Sequence, residues 1–235
     1  MFVDPLGLII ALPSAPIEPQ RDDYKNDKQY YLALRVYQTE LAIHNFNMTN
    51  YWRAIEYLMQ CPVFAELYIH LMNSKETYYI AFTDRDTGYY DFLSRTVHWN
   101  PVLGADMNGR GDFNSAAMVL AHEMGHAGQQ DGYFGDKIKE TVRSYVRTNK
   151  DDFRDELENH NMPFHNTVAI NLGEPTRDRY TVVTFHIMEN STDFGKIDSS
   201  GFFTNRNNWS PRPPVPYTPL DPFAFLGPNA AKLRQ

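Results

Sequence analysis

The sequence predicts an α+β domain: one buried central helix, further helices flanking it, and a small antiparallel sheet. Three observations carry this. Apolar residues recur at helical spacing through 24–46 and again through 50–72. The stretch from 76 to 99 is instead rich in aromatic and β-branched residues broken by turn formers. Finally, "NSAAMVLAHEMGHAG", 114–128, is apolar at almost every turn, as a helix enclosed by a core must be.

Taken in order, residues 1–23 form an N-terminal segment whose prolines between 9 and 24 favour extended backbone. "YKNDKQYYLALRVYQTELAIHNF", "NYWRAIEYLMQ" and "PVFAELYIHLM" give two or three helices interrupted at Pro62, because proline cannot sit inside a helix without losing a hydrogen bond. "ETYYIAFTDRDTGYYDF" predicts a hairpin turned at "DRDTG", and "RTVHWNP" a further strand stopped by Pro101. The central helix takes Asn114 or Ser115 as its cap and Gly128 near its end. "DKIKETVRSYVR" and "DDFRDELENH" predict two more helices, and "RYTVVTFHIM" a strand. The folded domain thus spans 24–209, followed from 210 to 235 by a tail whose prolines forbid regular structure.

Composition narrows the function. A formal charge of -7 with no block of Lys or Arg excludes nucleic acid and anionic membrane as the main partner, since phosphate binding needs clustered positive charge. Leu6–Leu12 is too short to span a bilayer, and Asp4 precedes it where a secretory signal carries a lysine, so neither a signal peptide nor a membrane span is expected. Cys61, the single cysteine, allows no internal disulfide and is expected to be a half-buried free thiol.

The chemistry lies in "HEMGH". On a helix, residues four apart share a face, so His122 and His126 can offer two imidazoles to one ion, with Glu123 beside the open position. A zinc ion there lowers the pKa of bound water, and a neighbouring carboxylate can take the proton as that water attacks a carbonyl. Gly125 leaves room for close backbone approach. A third protein ligand is needed, and Glu156, Glu158 and His165 all lie downstream. Glu156 and Glu158 point to nearly opposite faces of a helix, so only one of them can serve.

Two resemblances sharpen the expectation. "DPLGL", Asp4–Leu8, resembles the junction that closes the shell of Rhs-repeat polymorphic toxins, after which a variable toxin domain begins. It implies a toxin tip from a larger protein, with Met1 an added start, a parent Rhs shell and a cognate immunity protein as partners, and secretion or injection into a target cell whose cytoplasm is the place of action. "DELENHNMPFHNTVAINLGEPTRDRY", 155–180, with "HEMGH", resembles the zinc metallopeptidases of type III secretion effectors, themselves similar to clostridial neurotoxin light chains. That resemblance implies a zincin-like fold, one zinc ion and endopeptidase action on a protein of the target cell.

Residue by residue, the second resemblance implies Glu156 as third ligand, from the second position of an E-E-L stretch that here reads Asp155-Glu156-Leu157. It also implies Arg177 and Tyr180, delivered by the "LGEP" turn, as the groups that stabilise charge on the former carbonyl oxygen. His165-Asn166 departs from the family's E-N. "VHWNP" resembles the edge strand along which substrate backbones pair, although an ordinary buried Trp99 explains it equally. Two other functions fit the same residues: a zinc-dependent hydrolase of non-peptide amides or modifiers, and a non-catalytic binding module of the toxin shell with a structural zinc.

Overall fold

The computed structural model describes residues 10–84, 88–106, 108–178 and 184–207. The "DPLGL" motif, Tyr180 and the Pro-rich tail lie outside the described residues. Among the described residues, five α-helices and three small sheets make a mixed α+β fold. Strand β1 is Ile10–Ala11, followed after an irregular stretch by α1, Asp27–Leu58, and α2, Pro62–Met72. Asn26 caps α1 by accepting the N–H of Gln29, and Pro62 opens α2 at a position where its missing N–H costs nothing. No helix among the described residues is long and apolar enough to cross a membrane.

The first sheet holds β1, β2 (Tyr78–Phe82), β3 (Tyr89–Asp91) and β4 (Thr96–Trp99) in the order β1-β2-β4-β3. The expected hairpin between β2 and β3 does not form. β4 lies between them, parallel to β2 and antiparallel to β3, so the sheet is mixed and not antiparallel. The tight connection is instead between β3 and β4, where the Asp91 carboxylate accepts from the Leu93 N–H and the Ser94 hydroxyl. "VHWNP" is therefore an interior strand, and the edge is β3. Trp99 is fully buried and donates its indole N–H to the Ala116 carbonyl at 2.7 Å, tying β4 to the start of the central helix.

β5 (Leu103–Asp106) pairs with β7 (Thr184–Ile187), and β6 (Asp112–Phe113) with β8 (Gly195–Ile197), which in turn pairs with β9 (Phe203–Asn205). Between β5 and β6 the buried Asp106 carboxylate accepts the backbone N–H groups of Asn108, Gly109 and Gly111, fixing the loop's path.

The central helix α3, Ala116–Asp131, is buried from Ala116 to Gln129 and packs on α1, α2, α4 (Asp136–Thr148), α5 (Asp151–Leu172) and the first sheet. Ser115 is the cap, accepting from the Met118 N–H, and the helix ends at the left-handed Gly132; Gly128 sits inside it. Leu58, Leu67, Leu71, Ile80 and Val97 are among the apolar side chains that share a core with Met124 and the other apolar residues of α3. Cys61 is buried in the same core.

Trp99→Phe keeps most of the ring but leaves the Ala116 carbonyl without its buried donor. Chemical denaturation should show a loss of about 1–3 kcal/mol, with metal content per folded molecule unchanged.

Candidate metal centre and active site

His122 and His126 stand one turn apart on α3, and across from them α5 supplies the third group. That group is Glu158. Its Oε2 lies 3.2 Å from His122 Nε2 and 3.3 Å from His126 Nε2, and all three side chains are buried. The three donor atoms lie within 4.8 Å of one another. A tetrahedral ion with bonds of roughly 2.0–2.1 Å separates its ligand atoms by about 3.3 Å, so the two edges through Glu158 already match what such an ion requires. Two neutral nitrogens and one carboxylate oxygen also suit a borderline divalent metal.

Glu156, expected as the third ligand, is exposed on the opposite side of α5, within 3.4 Å of the Thr141 hydroxyl. The register is set by Leu157, Phe164 and Val168, which bury at helical spacing and turn Glu158, Asn161 and His165 toward α3. α5 runs well beyond residue 160, continuing through Pro163 to Leu172. His165 is buried with its ring 5.5 Å from that of His122, but it lies outside the trio. Burial holds its imidazole far below its ordinary range, and neither ring nitrogen finds a partner among the described residues.

The two histidines are held differently. His126 Nδ1 lies 2.9 Å from Gln129 Oε1, and Gln129 itself is fixed by donating to the Leu157 carbonyl. An amide oxygen there takes the proton on Nδ1 and leaves the Nε2 lone pair facing Glu158. His122 Nδ1 instead faces Asn161 Nδ2 at 3.2 Å and Arg177 Nη1 at 3.3 Å, which hold the ring with its Nε2 toward Glu158. Gly125 makes this possible: a Cβ there would come within 2.1 Å of Asn161 Oδ1.

Glu123 is buried beside the trio and accepts the backbone N–H of Tyr90 on β3. Burial pushes its carboxyl up to about 7, against the opposing pull of His126 and Arg177. Burial likewise lowers His122 to about 4, with Glu158 offsetting only part of that cost. Burial works against charge on Glu158 too, yet the imidazoles of His126 and His122 hold its carboxyl well below the ordinary range. Glu123, His126 and Glu158 open onto a cleft of about 200 Å³ walled by Tyr89, Phe92, Tyr145 and Arg154.

Arg177 is buried where α5 gives way to the following segment, and its guanidinium reaches the edge of the His122 ring away from Glu158. Two asparagines hold this segment by reciprocal amide pairs. Asn166 bonds the N–H and C=O of Arg177, both at 2.9 Å, while Asn108 accepts from the Asp178 N–H and donates to the Thr176 carbonyl. Just upstream, the fully enclosed Glu174 accepts from the Ser115 N–H and hydroxyl at the start of α3 and from the Tyr57 hydroxyl of α1. Gln129, Asn161 and Glu174 were absent from the sequence-based set. Compared with protein-family models, with curated proteins and with solved structures, the chain matches none.

Two predictions follow from this geometry. Glu158→Ala should cut metal retention by more than the roughly 10–100-fold typical of a supporting residue, whereas Glu156→Ala should leave it intact; equilibrium dialysis against a chelator series would rank the two. Glu174 supplies the pH test. Burial raises its carboxyl to about 7, so between the ordinary carboxylate range and pH 7 the folded chain keeps a proton that the unfolded chain has released. Its contribution is therefore complete at low pH and falls as pH rises toward 7. Glu174→Gln should flatten the stability-versus-pH curve in that window relative to wild type, by up to about 1.4 kcal/mol per pH unit, measured by denaturant titration at several pH values.

Proposed function

We propose that this chain is a zinc-dependent endopeptidase of zincin-like fold, acting as a toxin domain on a protein of a target cell. The observation that carries this reading is the convergence of Glu158 on His122 and His126 with Glu123 buried alongside. Among the described residues only these three donors converge, which leaves the open position a catalytic ion needs; a structural zinc normally takes four protein ligands.

His122, His126 and Glu158 would hold the zinc, which when bound supplies Lewis acidity and acidifies water. Glu123, its carboxyl raised to about 7 by burial, is suited to take a proton on its carboxylate and return it to the leaving amine. The edge strand β3 borders the cleft and gives an extended peptide a backbone to align with. Tyr180 is our choice for stabilising charge on the former carbonyl oxygen, whereas Arg177, expected to share that role but held by Asn166 against His122 Nδ1 on the side away from Glu158, is our choice for orienting that ring. The toxin setting, with a parent Rhs shell, a cognate immunity protein and action in the target cell's cytoplasm, rests on "DPLGL". A second reading, hydrolysis of a small non-peptide amide, is favoured by the cleft's modest 200 Å³.

Glu123→Gln should retain one equivalent of zinc while turnover falls about 10²–10⁴-fold. N-terminal proteomics of cells expressing each form then decides: new N-termini seen with wild type and missing with Glu123→Gln support the endopeptidase, and identical N-terminomes with activity on small amides alone would overturn it. Tyr180→Phe should keep zinc and melting temperature and lower turnover by about 10²–10³-fold; unchanged turnover would remove Tyr180 from the site.

A further inference from the structure

A second concavity lies apart from the cleft over the histidines. A cavity of about 380 Å³ lies between the C-terminal end of α3, the exposed side of α4 and the start of β4, and it shares no lining residue with the metal-site cleft. Although the chain carries a net charge of -7, four cations line this cavity: Arg95, Lys139, Arg143 and Arg147. Three of them project from one stripe of α4, at positions i, i+4 and i+8, so the concentration of charge follows from the helix repeat.

The two lining carboxylates offset only one of the four. Asp131 is consumed elsewhere, accepting from the Ser74 hydroxyl at 2.7 Å and the Tyr78 hydroxyl at 2.9 Å on one oxygen and facing His70 Nε2 at 2.6 Å with the other. Glu76 is taken by Arg95 Nη2 at 3.0 Å. Lys139 spends one N–H on the Asp131 backbone carbonyl, leaving two. Arg143 meets only the exposed Glu140, a pair worth little in water, and Arg147 has no partner among the described residues.

Arg95 is the most telling of the four. It is one of two non-glycine residues among those described with positive φ, at 54°, a conformation that costs energy and clusters at functional sites. Its Nε is buried and makes no hydrogen bond among the described residues. The terminal nitrogens are what Arg95 offers the cavity: one is held by Glu76, and the planar guanidinium keeps further N–H donors on the same fork.

We propose that this cavity binds a compact anion carrying two or more negative charges, a phosphate monoester or a polycarboxylate. Arg95 presents a planar fork suited to either, and Lys139, Arg143 and Arg147 supply the further positive charge that a multivalent ligand selects over a single carboxylate.

Isothermal titration of the full chain with phenyl phosphate and with tricarballylate, at constant ionic strength, tests this and tells the two sources apart. At least one should bind with one-to-one stoichiometry, and Arg147→Gln and Arg95→Gln should each weaken it about tenfold or more. Arg147 is exposed and unpartnered, so its variant keeps the test decisive even if loss of Arg95 disturbs the fold. Lys28→Gln, on distant α1, should change nothing. Absence of binding by both probes to the wild-type chain, or binding that all three variants share equally, would overturn the proposal.

Discussion

Everything in this molecule is arranged around the enclosure of α3. A helix that buries His122, Glu123 and His126 along with its apolar residues takes three ionisable groups out of water, a cost that is tolerable only if each finds a partner. The partners come from every surrounding layer: Glu158 and Asn161 from α5, Gln129 from α3 itself, Tyr90 from β3, and Arg177 from the segment after α5. The same enclosure shifts their proton affinities, since burial favours neutral His122 and Glu123 and leaves Glu158 as the anion between two rings. The apolar core and the polar centre are thus one construction.

The start of α3 is secured in the same manner. Glu174 gathers donors from Ser115 and Tyr57, so one carboxylate joins the start of α3, the C-terminal end of α1 and the segment leading to Arg177. An anion at a helix N-terminus is favoured by the helix dipole, which offsets part of the burial that pushes its carboxyl upward. Asn108 and Asn166 continue the work by imitating strand pairing on Thr176, Arg177 and Asp178. A loop with no regular secondary structure is therefore fixed as firmly as a strand would be.

The sequence made the helices and the pair of histidines legible because both rest on local periodicity: i to i+4 on one face, a serine cap, a proline at a helix start. It misled where the outcome depends on distant chain. Nothing local in "ETYYIAF" or "GYYDF" reveals that β4 inserts between them, and the turn at Asp91–Ser94 wins because its hydrogen bonds close at once. The choice of Glu156 followed a resemblance, while the burial period of Leu157, Phe164 and Val168 was present in the sequence and points to Glu158. Gln129 was visible as the residue one turn beyond His126, but the ring it supports could be recognised only once Leu157 was seen to hold its amide. Asn161 and Glu174 carry no local signal, since their roles depend on contacts more than thirty residues away.

Gly125 has a further consequence. Two of the three metal-site groups ride on one rigid helix and the third on another, so the trio measures the gap between α3 and α5, and Gly125 sets how small that gap can be. A single added methyl at 125 would act as a spacer: it must displace the Asn161 amide, the α5 group that grips His122 through its carbonyl and its ring. The centre behaves as a caliper whose jaws are two helices, and its setting is written in the one residue between the histidines that has no side chain.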